Sequence, residues 1–123
     1  MVTFDFNGRE LPFLFTLDAW ERMEKEVCTM DELFDMYRGQ DNAKRMLVDT
    51  MHKTLKLAVI LSEAADAKPP ITYDELHNGL IPGEVILLQG AIMNAVSDGL
   101  DFENKKKPGP RDLVLEEIEP KKT

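Results

Sequence analysis

Apolar and polar residues alternate along the first fifteen positions. Val2, Phe4 and Phe6 alternate with Thr3 and Asp5, the period of two that marks a half-buried strand. Asn7-Gly8 follows, a dipeptide suited to a two-residue turn with positive φ. Glu10 to Phe15 then returns with Leu11, Phe13 and Phe15 on one face. Pro12 lacks an N–H, so this second strand belongs at an edge or at a bulge. The pattern predicts a β-hairpin over about residues 2–15. A two-stranded hairpin is marginal by itself, so it has to pack on the helices that follow.

The period then becomes helical. Thr16 is placed to cap a helix from Leu17 to about Glu26, with Leu17, Trp20, Met23 and Val27 at helical spacing. Thr29-Met30-Asp31-Glu32 reads as a capping box, and the short helix it opens ends near Arg38-Gly39, where Gly39 can supply the C-terminal cap. Asp41 can cap the longest helix, which runs to about Asp66 before Pro69-Pro70 forbids continuation. Met46, Leu47, Met51, Leu55, Ala58, Val59, Leu61 and Ala65 give it an amphipathic stripe. A helix of about 25 residues is a rod of roughly 37 Å, the expected spine of the fold.

Thr72-Tyr73-Asp74-Glu75 is a second capping box, opening one or two turns with Leu76 and Leu80 facing inward. Ile81-Pro82-Gly83-Glu84 starts the last helix, with Pro82 in its first turn. Val85, Ile86, Leu88, Ile92, Ala95, Val96 and Leu100 form its apolar stripe. Gly90 lies inside it. A mid-helix Gly costs about 1 kcal/mol against Ala, and close contact with another helix is the expected reason for it.

The predicted class is therefore α+β, mainly α: an N-terminal hairpin followed by about five helices packed as a small bundle. Residues 1–100 read as one globular domain, with helices over about 17–99, and 101–123 as a flexible tail or linker. Asn104 to Arg111 is charged and rich in helix breakers, and Leu113, Val114, Leu115 and Ile118 form an apolar island beyond it.

Charge narrows the partners. Residues 1–100 carry 17 acidic and 9 basic side chains, whereas 101–123 carry 6 of each, so the net charge of −8 belongs to the folded part. An acidic body opposes the phosphate neutralisation that nucleic-acid binding requires. It suits a basic or neutral protein partner, or a protein kept soluble by its charge. The single cysteine, Cys28, forms no internal disulfide and no Cys-rich zinc site. No apolar run approaches the roughly 20 residues that span a bilayer, and MVTFDFNGRE lacks the pattern of a signal peptide. The expectation is a cytoplasmic protein without membrane contact.

Catalytic signatures do not emerge. The sequence has no glycine-rich phosphate loop, no H-E-x-x-H, no nucleophile elbow and no paired CxxC. His52 and His77 fall in different helices, and a metal site would need them joined in space with further ligands. Cys28 reads as a small residue buried at a helix junction rather than a nucleophile. Glu21, Glu24, Asp31, Glu32, Asp35, Glu63 and Asp66 occupy helix faces and first turns, where solubility and the helix dipole account for them. Trp20 reads as core rather than a binding hot spot, and the seven methionines suit an adaptable surface and an ordinary core alike. The expectation is a non-enzyme with no cofactor and no metal, acting by binding.

Three stretches resemble the tail assembly chaperones of long-tailed bacteriophages and prophages of Gram-positive bacteria. They are the hairpin and first helix (Phe4 to Leu11, then Phe15 to Glu24), the end of the long middle helix (Leu57 to Ala64), and Ile71 to Leu76 followed by Pro82-Gly83-Glu84 and Ala91 to Val96. The likeness spans about residues 2–100 and is one of pattern, length and acidity. It implies a protein that binds the tape measure protein while the tail tube polymerises around it, then leaves the finished tail. It would act in the cytoplasm of the bacterial host and be missing from the finished virion. Many such proteins have a second, longer form made by ribosomal frameshifting, which would add contact with tail tube subunits. The resemblance carries no catalytic residues. Homo-oligomers are compatible with it.

Helix-in-groove binding of such a client needs an exposed apolar groove. The candidate partner-binding residues are Leu55, Val59, Val85, Leu88, Ile92 and Val96, since core and groove look alike in sequence. The alternative is a small acidic regulator or inhibitor, antitoxin-like or mimicking a nucleic-acid surface, that binds a basic protein partner.

Overall fold

The computed structural model describes residues 1–38 and 42–101. Gly39 and Asp41, expected as helix caps, and the stretch 102–123 with its lysine run and apolar island lie outside the described residues.

Strands β1 (Val2–Phe6) and β2 (Arg9–Phe13) pair antiparallel, with Val2 opposite Phe13 and Phe6 opposite Arg9. Asn7 and Gly8 close the turn at φ of 51° and 87°, the positive values a two-residue hairpin turn needs. Leu11 and Phe13 are buried, and so is Phe6 on the facing strand. Alternation thus delivers one apolar face to the helices. The Leu14 N–H donates to the Leu61 carbonyl at 3.1 Å, fastening the exit of the hairpin to the central helix.

Six helices follow among the described residues. Helix α1 (Leu17–Glu26) starts where the Thr16 hydroxyl accepts from the Ala19 N–H at 3.1 Å. Phe15 stacks on Trp20 with ring centroids 5.7 Å apart. Helix α2 (Met30–Arg38) opens with the expected reciprocal cap. The Glu32 carboxylate accepts from the Thr29 N–H at 2.7 Å, and the Thr29 hydroxyl accepts from the Glu32 N–H at 3.2 Å. The Thr29 backbone bond holds the Glu32 carboxyl below its usual range.

The long middle helix is two helices, not one. Helix α3 (Asn42–Arg45) ends in a turn at Met46-Leu47, and α4 (Val48–Ala64) begins after Leu47, whose backbone is extended. The rod is therefore about 26 Å long rather than 37 Å. The reason is tertiary. In a continuous helix the Arg45 carbonyl would accept from Asp49. Here it accepts from the side chain of Gln89 on the last helix, at 3.1 Å. Met46 and Leu47, expected on the buried stripe, are 61% and 55% exposed.

Helix α4 is nonetheless the spine. It contacts β2, α1, α3, α5 and α6, and Thr54, Leu57, Ala58, Ile60, Leu61 and Ser62 are all buried. It ends with Asp66 at φ 59°, where Ala67 N–H donates to Ser62 and Asp66 N–H to Glu63, each at 3.0 Å. That is the paired C-terminal closure a left-handed residue permits. Helix α5 (Tyr73–Gly79) carries the predicted Thr72–Glu75 capping box. Helix α6 (Pro82–Leu100) has Pro82 in its first turn, and Glu84 accepts from the Ile81 N–H at 2.9 Å.

Close glycine packing occurs elsewhere than expected. A Cβ on Gly99 would stand 2.6 Å from the Phe15 carbonyl, and one on Gly79 would stand 2.8 Å from the Phe6 ring. A Cβ on Gly90 would meet nothing within 4 Å beyond the backbone of its own helix, so packing against another helix among the described residues does not explain that residue. No helix among the described residues is long and apolar enough to cross a membrane.

Candidate functional site

Among the described residues, one cleft lies at the start of α6 and another along its middle. The first is an apolar groove of about 190 Å³ between the start of α4, α5 and the start of α6. Leu55, Leu76 and Val85, all buried, form its floor, and Val48, Met51, Leu80 and Pro82 form its walls. A dry apolar cavity of about 150 Å³ can hold a benzene ring, so the groove has room for one large apolar side chain. Its surroundings are also apolar: Val48 is 67% exposed and Ile81 65%, next to the exposed Met46 and Leu47. Each is already partly covered, so burying the rest would gain on the order of 1–2 kcal/mol.

An aromatic edge borders this groove. His52 of α4 and His77 of α5 lie 5.7 Å apart between ring centroids, and Tyr73 stacks on His77 at 5.7 Å. The helices thus join the two histidines that the sequence left separate. Among the described residues no cluster of three or more His, Cys, Asp or Glu residues could hold a metal ion.

The second cleft, about 400 Å³, runs between Tyr37, Arg45 and the outer face of α6 at Gly90, Met93, Asn94 and Ser97. Polar bonds lie beneath it. Tyr37 Oη and Thr54 Oγ1 are 2.5 Å apart, and Thr54 Oγ1 donates to the Thr50 carbonyl at 2.9 Å. Gln89 Nε2 donates to the Arg45 carbonyl and lies 3.4 Å from Thr54 Oγ1. The Arg45 guanidinium donates in turn to the Tyr37 carbonyl. Two buried atoms in this group, Gln89 Oε1 and Arg45 Nε, have no hydrogen-bond partner among the described residues. Burial pushes the Tyr37 hydroxyl well above the usual tyrosine range.

The six residues named as partner-binding candidates divide. Leu55 and Val85 reach the apolar groove from below. Val59 is half-buried against the core. Leu88, Ile92 and Val96 are 0% exposed, so a partner could touch them only by unpacking the fold. The exposed apolar residues Met46, Leu47, Val48 and Ile81 were not among the six. A signal for the first three was present: three consecutive apolar residues cannot all lie on one helical stripe. Cys28 is buried at the junction of α1 and α2, as its sequence position indicated. Its thiol is pushed up to about 11, first by burial and then by the Glu32 carboxylate.

Compared with known protein families, with curated proteins and with solved structures, the protein shows no match.

Proposed function

We propose that this protein is a tail assembly chaperone of a long-tailed bacteriophage or prophage, binding apolar helical segments of the tape measure protein. The observation that supports it most is the apolar groove between α4, α5 and α6 with Met46, Leu47, Val48 and Ile81 exposed beside it. An amphipathic helix binds such a groove by inserting one or two large side chains and covering the rim with its neighbours. The net charge of −8 keeps the protein soluble while that surface is open and after the client has bound. In this reading the protein acts without catalysis or cofactor. It works in the host cytoplasm and leaves before the virion is complete, and a longer form would add tail tube subunits.

The test is co-expression with a tape measure protein encoded beside this gene, which this reading expects to exist. The reading expects the tape measure protein to be soluble only with this partner, and to become insoluble again when Val48 or Ile81 is changed to Asp. Equal solubility with and without the partner overturns it.

The acidic body favours a second reading, a regulator that binds a basic protein. Such a complex would dissociate steeply with salt, whereas an apolar one would persist.

A further inference from the structure

The polar cleft above α6 has no part in the proposed function, and three features of it are unexplained by the fold. Gly90 sits in the middle of a 19-residue helix, is exposed, and has nothing beyond its own helix backbone within 4 Å of where a Cβ would stand. The helix therefore gives up about 1 kcal/mol against Ala with no packing gain among the described residues. Gly90, Asn94 and Ser97 share one face with the exposed Leu87, which leaves a low, polar floor beside a large apolar side chain. Gln89 is 1% exposed and lines this cleft, yet its Oε1 has no partner among the described residues, and neither does the buried Nε of Arg45, which also lines the cleft. A buried polar atom left unpaired costs about 1–3 kcal/mol.

The unpaired groups specify the chemistry. One is an acceptor and the other a donor. A simple anion would satisfy Arg45 but oppose the Gln89 carbonyl, and the acidic body disfavours it further. A simple cation would have the converse fault with Arg45. An uncharged group that presents both an N–H and a C=O to one side satisfies both, as a residue of an extended strand does with its own N–H and C=O. A glycine floor lets a backbone approach a backbone closely. The volume of about 400 Å³ lies within the range of ligand-binding clefts.

We propose that this cleft binds an uncharged, extended segment of a partner polypeptide across Gly90. The segment's backbone C=O and N–H pair with Arg45 Nε and Gln89 Oε1 after a small outward shift of the Arg45 side chain, and one of its apolar residues packs on Leu87. The cleft is separate from the apolar groove and does not depend on the chaperone reading.

The test is a titration of the isotope-labelled full-length protein with N-acetyl-trialanine amide, followed by nuclear magnetic resonance. Saturable shifts are expected at the Gln89 carboxamide, Gly90, Asn94, Ser97 and the Arg45 Nε–H. Gly90→Gln and Gly90→Trp, which fill the floor, should weaken binding about ten-fold or more while circular dichroism shows an intact fold. Sodium acetate is the competing probe. The proposal is overturned by acetate producing the same saturable shifts, by peptide shifts that centre on Val48 and Ile81, by unchanged binding in a folded Gly90 variant, or by no saturable shift with the peptide. None of these results touches the solubility test of the chaperone reading, which works through the other groove.

Discussion

Gln89 of α6 caps a helix that is not its own: its carboxamide donates to the backbone carbonyl of Arg45 at 3.1 Å, 44 residues away in sequence. That carbonyl ends α3 and is freed because α4 restarts at Val48. Break and cap support each other. The break turns the Arg45 carbonyl toward α6, and Gln89 removes the cost of leaving it buried and unpaired. Gln89→Leu keeps the volume and removes the donor. It should lower stability by about 1–3 kcal/mol, read from urea unfolding. Amide exchange should accelerate around residues 46–50 before it does in the hairpin. Uniform acceleration throughout the protein would show that the residue supports the core generally and not this junction.

The two glycines of α6 that differ most in surroundings should respond to alanine with opposite signs. Gly90→Ala adds a Cβ into open space and gains helix propensity, so stability should rise by about 0.5–1 kcal/mol. Gly99→Ala places a Cβ 2.6 Å from the Phe15 carbonyl, a backbone atom that cannot swing aside. Its stability should fall, by about 1–3 kcal/mol as in other overpacked sites. Thermal melts of the two variants side by side provide the check.

Cys28 should make the fold sensitive to alkaline pH. The folded thiol is held at about 11, against about 8.5 for a thiol in an unfolded polypeptide. The folded state favours the neutral form, so this contribution is complete below about pH 8.5 and lost as pH rises toward 11. Tyr37, also raised by burial, adds a second loss above about pH 10. Between about pH 8.5 and 10 the wild type should therefore lose stability faster than Cys28→Ala, as measured by urea midpoints across that range. Parallel curves would mean that the thiol titrates alike in both states.

Exposed and buried apolar residues near the groove should separate stability from binding. Val48→Asp and Ile81→Asp remove side chains that are 67% and 65% exposed and place an acid at a helix start, so neither should destabilise the fold by more than about 0.5 kcal/mol, and Asp at the α6 N-cap should stabilise it. Leu88→Ala and Ile92→Ala empty fully buried sites and should cost about 2–5 kcal/mol each. If the Asp variants unfold as easily as the core variants, those surfaces are structural and the groove is not an open site.

Local features were legible in the sequence because their causes are local. Period-two alternation and Asn7-Gly8 placed the hairpin. Thr16, Thr29 with Glu32, and Thr72 with Glu75 placed helix starts, since a capping hydroxyl reaches an N–H only three residues away. Asp66 marked the end of α4 within two residues. The mainly helical class with an N-terminal hairpin follows from these signals. The break at Met46-Leu47 was not legible, because the group that compensates for it is on a distant helix.

What the sequence determined by itself was therefore the kind and order of the elements, through short-range rules of period, turn and cap. It also confined the excess negative charge to residues 1–100. Only the tertiary structure decided which apolar residues face water. Leu88 and Leu87 are equally apolar neighbours on one helix, yet one is 0% exposed and the other 68%. Hydropathy describes a side chain, whereas burial depends on what packs against it. The same reason brought His52 beside His77, left Met46, Leu47 and Val48 in the open, and left Gln89 Oε1 without a partner among the described residues.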